Sequence, residues 1–245
     1  LVESKQAERA DRVIGEYLAK SPRDSNRWRL AGRLSIAQGR MDQAEKAFRK
    51  AVDLAPDLAP AHYELGQLYV LENKLPAAVS AFHAALKTDE ANSIIHTALG
   101  MVLASQGQVE AANGHYKRAV QLNPRDVVAA NNLAANLSDQ QDLDDALGFA
   151  RDALELAPSN PAIKDTLGWI YYQQGRFEKA YPYLEEASAA LPQHPIVRYH
   201  HAVALSKMGR QDEALSELKS ALALPGGFPE AARAARMVAA SKMDD

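Results

Sequence analysis

Apolar residues recur along this chain with helical spacing, in stretches that are separated by short turns. Residues 167–175 read LGWIYYQQG, where large apolar and aromatic side chains crowd together and the stretch ends at a glycine. Residues spaced three and four apart share one face of an α-helix. A glycine just beyond a helix supplies the left-handed conformation that ends it. The pattern therefore predicts a succession of helices.

These stretches repeat with a single period of 34 residues. Prolines keep the register, and between the first and the last of them only Glu90 interrupts the series: Pro22, Pro56, Pro124, Pro158 and Pro192. From Pro56 onward, alanine stands 12 and again 5 residues before each of these positions. A turn residue separates the two helices of each unit, at Gly39, Asn73, Gly107, Gln141, Gly175 and Gly209. A fixed period with helical content predicts an array of helix–turn–helix units.

The repeated motif resembles that of the tetratricopeptide repeat (TPR) family. Residues 28–56 carry W-x-x-x-G, a turn, A-x-x-x-F-x-x-A and a final proline, and later units repeat variants of it. The resemblance covers nearly the whole chain and implies an all-α, right-handed superhelical solenoid of helix–turn–helix units. It divides the chain into six units, 25–58, 59–92, 93–126, 127–160, 161–194 and 195–228.

Both ends of the chain depart from the repeat. Residues 1–24 match only the second helix of a preceding unit, so we interpret them as part of a truncated repeat in a longer array. The last unit has Gly226 where proline belongs, and residues 229–245 predict a C-terminal capping helix and tail.

The resemblance also implies that the first helix of each unit lines a concave groove. Trp169 and Tyr172 lie three apart on one helical face and are predicted to point into it; the alternative is that they pack as core. Exposed aromatic pairs mark binding sites. The partner-binding patch we expect comprises Asn131, Asn132, Asp165, Thr166, Trp169, Tyr172, Tyr199 and His200. A second, more basic end, suited to an acidic segment, comprises Arg29, Arg33, Tyr63 and Gln67.

Composition and spacing argue against several kinds of chemistry. A net charge of −3 gives no bulk attraction to nucleic acid, and the absence of cysteine excludes disulfides, thiolate metal sites and cysteine nucleophiles. No apolar run approaches the roughly 18 residues of a membrane helix. His200 and His201 are adjacent, so on a helix they point about 100° apart and do not chelate. We expect no enzyme activity, catalytic residue, cofactor or metal.

A protein–protein interaction scaffold is the leading interpretation. Residues 131–175, the segment 192–209 and the closing F-x-E-A-A helix resemble bacterial TPR proteins of exopolysaccharide export and PEP-CTERM systems. That resemblance implies a periplasmic, outer-membrane-associated scaffold for an export or modification complex; a cytoplasmic location is the alternative. Two other interpretations stay open: a groove that binds polysaccharide directly, and an accessory domain of a larger exporter or enzyme.

Overall fold

The computed structural model describes residues 2–240, which form fourteen α-helices and no strand. The helices are α1 Val2–Lys20, α2 Ser25–Ala37, α3 Met41–Leu54, α4 Ala59–Leu71, α5 Leu75–Leu86, α6 Ser93–Ser105, α7 Val109–Leu122, α8 Val127–Asp139, α9 Leu143–Leu156, α10 Pro161–Gln173, α11 Phe177–Ala190, α12 Pro195–Lys207, α13 Gln211–Ala223 and α14 Ala231–Ala240. The all-α, helical-repeat fold predicted from the sequence is confirmed.

The helices fall into two compact units, Leu1–Asn123 and Pro124–Asp245. The first contains α1 and the hairpins α2–α3, α4–α5 and α6–α7; the second contains the hairpins α8–α9, α10–α11 and α12–α13, followed by α14. The sequence-based repeat boundaries stay a prediction. Residue 1 of the predicted truncated repeat and residues 241–245 of the predicted C-terminal tail lie outside the described residues.

Each hairpin turns at a residue in the left-handed backbone region. The φ angles are Gly39 73°, Asn73 56°, Gly107 75°, Gln141 65°, Gly175 73° and Gly209 78°. The hydrogen bonds follow one pattern, as in the first hairpin, where Gly39 N–H donates to the Ile36 carbonyl and Arg40 N–H to the Ser35 carbonyl. This pair of bonds satisfies carbonyls that the helix end leaves free. The turn positions predicted from the sequence are therefore confirmed, including the two that are not glycine.

A small residue on the first helix of a hairpin makes room for a large side chain on the second. A Cβ added to Gly32 would stand 2.5 Å from the Phe48 ring, and one added to Gly168 would stand 2.7 Å from Leu184 Cγ. The same fit recurs at Gly66 with Phe82 and at Gly100 with Tyr116. These large side chains are completely or almost completely buried. The absence of a Cβ on the glycine thus lets an aromatic ring lie against the helix backbone.

Consecutive hairpins are joined by a repeated side-chain hydrogen bond. A nitrogen near the start of a first helix donates to a backbone carbonyl six residues earlier, just after the preceding helix has ended. The pairs are Trp28 with Pro22 at 2.8 Å, His62 with Pro56 at 2.8 Å, His96 with Glu90 at 3.1 Å and Arg198 with Pro192 at 2.7 Å. Three residue types perform this one task, because each places an N–H donor at the end of a long side chain.

Glycine-to-alanine substitutions at two positions of the same hairpin should have opposite effects. At Gly100, the new Cβ would stand 2.6 Å from the Tyr116 ring, so G100A should lower the free energy of unfolding by about 1–3 kcal/mol. At Gly114, on α7, nothing lies within 4 Å, so G114A should raise it by up to about 1 kcal/mol through helix propensity. Urea unfolding of both variants measures this. Equal effects would mean that the glycine–ring fit does not hold the hairpin together.

Three histidines of the first unit lie close together on α5, α6 and α7. His96 Nε2–H donates to the Glu90 carbonyl, which leaves Nδ1 of the neutral ring to accept from His115 Nδ1–H at 2.9 Å. The His83 and His115 ring centroids are 6.0 Å apart. Burial, with the neighbouring charges of His96 and His83, lowers the pKa of His115 to about 4. Burial also lowers the pKa of His96.

This cluster predicts acid sensitivity. Between pH 6.5, the ordinary pKa of histidine, and about 4, an unfolded chain binds a proton that folded His115 does not. The stability that neutral His115 provides is therefore present above pH 6.5 and is lost as the pH falls toward 4. We expect Tm to fall across this window and the fall to be shallower in His115→Asn. Thermal unfolding followed by circular dichroism tests this, and parallel curves for the two proteins would contradict it.

Candidate functional site

The second unit contains a cleft of about 480 Å³ between its first helices and the segment that precedes α14. We call it the C-terminal cleft. Its lining residues are Ala135, Ser138, Asp139, Asp165, Thr166, Trp169, His194, Pro195, Ile196, His200, Pro225, Gly226, Gly227, Phe228, Pro229 and Glu230. Helices α8, α10 and α12 each contribute one side, and residues 225–230 contribute the remaining wall. Three consecutive hairpins therefore present side chains to one volume.

A stack of aromatic rings forms one wall of this cleft. The Trp169 ring is nearly parallel to the Tyr172 ring, with centroids 5.0 Å apart and planes 7° apart, and to the His200 ring, 3.9 Å and 15° apart. The Trp169 indole N–H is also fixed by a hydrogen bond. The side-chain amide of Gln173 is oriented so that its oxygen accepts from this N–H at 2.7 Å and its nitrogen donates to Ser138. Trp169 is therefore held by neighbours on α10 and α12, and Gln173 links it to Ser138 of α8.

His200 connects this stack to a carboxylate. Its Nδ1 lies 2.9 and 3.1 Å from the two oxygens of Asp165. A carboxylate only accepts, so Nδ1 carries the proton and donates it to Asp165. His200 is 8% exposed and lies against the cleft. The pair fixes the orientation of the imidazole at the cleft wall.

Two further carboxylates face the cleft from different elements. Asp139 lies at the end of α8, and Glu230 lies just before α14. Glu230 Oε2 is shielded from solvent and accepts no hydrogen bond within residues 2–240. Desolvation, reinforced by the charge of Glu230, raises the pKa of Asp139, and His200 opposes this rise. Asp139 is exposed, and its negative charge and that of Glu230 disfavour each other.

The residues predicted from the sequence for this end of the groove divide into three groups. Asp165, Thr166, Trp169 and His200 line the cleft, and their binding role stays a prediction. Asn131, Asn132 and Tyr172 are partly buried and lie outside the lining, and their role also stays a prediction. The prediction that Tyr199 belongs to an accessible binding patch is wrong, because its side chain is completely buried.

Tyr199 is completely buried because of α14, a helix that lies outside the repeat pattern. Its side chain lies in an apolar cluster with Ala234 of α14, and Trp169, Tyr172 and Phe228 pack against the same cluster. Helix α14 therefore covers part of the aromatic patch. Trp169 and Tyr172 combine both of the roles considered for them, since they support this core while remaining partly exposed.

The basic end predicted in the first unit carries less free positive charge than its residue types suggest. Arg29 donates through two nitrogens to the Glu64 carboxylate, at 2.8 and 2.9 Å, which neutralises its charge. Arg33 is exposed, and Gln67 donates to the Tyr63 hydroxyl at 2.9 Å. An acidic partner would have to compete with Glu64 for Arg29, so we place the candidate site in the second unit.

Sequence reasoning missed Asp139, Glu230 and Phe228. Gly226 was recognised as a break in the repeat, but nothing in the repeat indicates where the next residues pack. One usable signal is a separation of 35 residues, which joins Arg29 to Glu64 and Asp165 to His200. Since the period is 34, that separation pairs one position of a first helix with the position one residue further along in the next first helix.

Family models confirm the identity of the repeat. A model described as tetratricopeptide repeat matches residues 1–59 and 97–161, about half of the chain, and another of that description matches residues 35–102. The chain belongs to the tetratricopeptide repeat family. A model for subunit 3 of the anaphase-promoting complex, cyclosome, matches residues 139–221 of this TPR protein. No curated protein sequence matches the chain significantly.

Solved structures share the TPR fold. YrrB, described as a TPR protein with an unusual peptide-binding site, is 25% identical with a TM-score of 0.64 over 75% of this chain and 95% of its own. A thermophilic TPR protein from Thermus thermophilus is 26% identical, TM-score 0.56, over 76% and 99%. Pseudomonas aeruginosa pilF is 19% identical, TM-score 0.73, over 90% and 97%, which shows the fold alone.

A TPR fold implies a protein–protein interaction scaffold. Within the described residues, no group of three or more histidine, aspartate or glutamate side chains is placed to hold a metal ion. None of the helices of residues 2–240 is both long and apolar enough to cross a membrane.

Removing the charge of Asp139 should stabilise the protein. Because its pKa is raised in the folded state, the ionised carboxylate costs stability at neutral pH, and the cost disappears below its ordinary pKa of 3.8. Because Asp139 is exposed and solvent screens its charge, we expect D139N to raise Tm only slightly at pH 7 and by nothing near pH 3.

Asp144 provides the comparison for this measurement. It lies in the first turn of α9, where a negative charge favours the helix N-terminus, so D144N should lower Tm slightly. A lower Tm for D139N at pH 7 would show that the Asp139 carboxylate is stabilising.

Proposed function

We propose that this TPR protein is a non-catalytic scaffold that holds an extended segment of a partner protein in the C-terminal cleft. The observation that supports this most is the convergence of three successive first helices on one cleft that has apolar walls and a few positioned polar groups. Binding sites commonly have this composition. The peptide-binding description of YrrB, which is similar over three quarters of this chain, supports the same class of partner.

Direct binding of polysaccharide is less well supported by the geometry. Sugar rings bind proteins largely by stacking on aromatic faces. Trp169 already stacks on two side chains of the protein itself, Tyr172 and His200, and Tyr199 is buried. Too little aromatic face is left for a sugar platform, whereas a peptide needs only the apolar walls and hydrogen-bonding groups.

The cellular setting we propose is the bacterial envelope, with the protein at the periplasmic side of the outer membrane. There it would assemble a polysaccharide export or modification complex. This part rests on the resemblance of residues 131–175 and 192–209 to the TPR proteins of such systems. It is separate from the cleft, and fractionation of cells that carry the tagged protein tests it. Recovery in the cytoplasm would contradict it.

Partner capture with a blocked cleft tests the scaffold proposal. Ala135 lines the cleft, and a tryptophan there would occupy part of it. We expect A135W to lose a protein that the unaltered chain retains from an envelope extract.

Ser216→Trp is the matched control, since Ser216 is exposed on α13, a second helix. It adds the same apolar surface outside the cleft, and circular dichroism verifies that both variants fold. If A135W, S216W and the unaltered protein retain the same proteins, the cleft is not the partner site.

A further inference from the structure

The charged groups that face the C-terminal cleft are unbalanced. Asp139, Asp165 and Glu230 line it, and no lysine or arginine is among its lining residues. The two histidines that line it are His194 and His200. His200 already donates to Asp165. The walls therefore offer mainly hydrogen-bond acceptors and negative charge.

Two of these carboxylates lack a counter-charge that the fold could have provided. Two partly buried carboxylates elsewhere in the protein are paired: Glu64 with Arg29 and Glu217 with Arg198. Glu230 Oε2, by contrast, is shielded from solvent and accepts no hydrogen bond in the described part of the chain. Asp139 is exposed and has no lysine or arginine beside it among the lining residues, and desolvation and then the charge of Glu230 raise its pKa. A donor placed between α8 and residues 225–230 would compensate both carboxylates.

The remaining walls suit an alkyl chain. Trp169, Ile196 and Phe228 line the cleft beside the polar groups. Lysine and arginine carry a charged end on a stem of methylene groups, and that stem packs well against apolar surface. A metal ion is a poorer match, since no three acidic or histidine side chains in residues 2–240 converge on one point.

We propose that the C-terminal cleft recognises an arginine or lysine side chain of the partner, bound between Asp139 and Glu230 with its stem against Trp169 and Phe228. This rests on the proposed peptide-binding function and gives the chemistry of the bound segment. Guanidinium and ammonium groups both form charge-assisted hydrogen bonds to carboxylates.

The two tryptophans of the chain make the test internally controlled. Trp169 lines the cleft, whereas Trp28 lies in the other unit and donates to the Pro22 carbonyl. Nitrogen-15 labelling therefore gives one indole signal at the site and one reference signal. The probe is acetyl-Gly-Ala-Arg-Ala-Gly-amide, with versions that carry norleucine or glutamate in place of arginine.

We expect the arginine peptide to shift the Trp169 signal with a dissociation constant on the order of 1 mM, and to leave Trp28 unchanged. The norleucine and glutamate peptides should bind at least about tenfold more weakly. The double variant D139N/E230Q should lose about tenfold in affinity for the arginine peptide, while D144N should lose nothing. Equal binding of the norleucine peptide, stronger binding of the glutamate peptide, or no shift of Trp169 at about 10 mM arginine peptide would overturn the proposal.

Partner capture distinguishes a failure of this inference from a failure of the proposed scaffold function. If D139N/E230Q retains the protein that A135W loses, the cleft binds a partner without using a basic side chain, and only the inference fails. If A135W loses nothing, the proposed function itself fails. If both variants lose the same protein, both stand.

Discussion

The close approach of the two helices within a hairpin is the constraint on which the rest of the structure depends, and in four of the six hairpins a glycine on the first helix permits it. A glycine in a helix costs about 1 kcal/mol relative to alanine. Here that cost permits an aromatic ring such as Phe48 or Tyr116 to lie against the opposite backbone, completely or almost completely buried. Burying such a side chain contributes about 2–3 kcal/mol, so the exchange is favourable. Both helices of a hairpin then contribute to the core, and several first-helix residues of the second unit also line the cleft.

Because the hairpins fix the backbones of the first helices, side chains from several first helices can form one site. The first helices of the second unit contribute Asp139, Asp165, Trp169 and His200 to one cleft, and their backbones are already fixed by the hairpins. The cross-helix bonds then fix the side chains: Gln173 joins Trp169 to Ser138, and Asp165 joins His200. Glu230 Oε2, which accepts no hydrogen bond within residues 2–240, faces this cleft. Polar groups that the fold leaves unpaired in a cleft are candidates for binding a ligand.

The repeat could be predicted from the sequence because it is built from local rules and one period. Turn residues such as Asn73 and Gln141 were located by register alone, and both have the left-handed backbone that the hairpin requires. Register also brought Asp165 and His200 to the right face. It failed where the chain leaves the repeat. The burial of Tyr199 depends on α14, and the cleft depends on residues 225–230, and neither segment has a periodic counterpart to predict its packing. The predicted basic character of Arg29 fails for a different reason. Its ion pair with Glu64 joins two helices of different repeats, and the pattern within one repeat does not indicate such a pair.

The central claim is that the first helices of the second unit, and not the second helices, hold a partner. Hydrogen exchange of the protein, alone and with a captured partner, tests this directly because it reports on every helix at once. Slower amide exchange confined to α8, α10, α12 and residues 225–230 is the predicted result. Slower exchange on α9, α11 and α13, with the first helices unchanged, would contradict it.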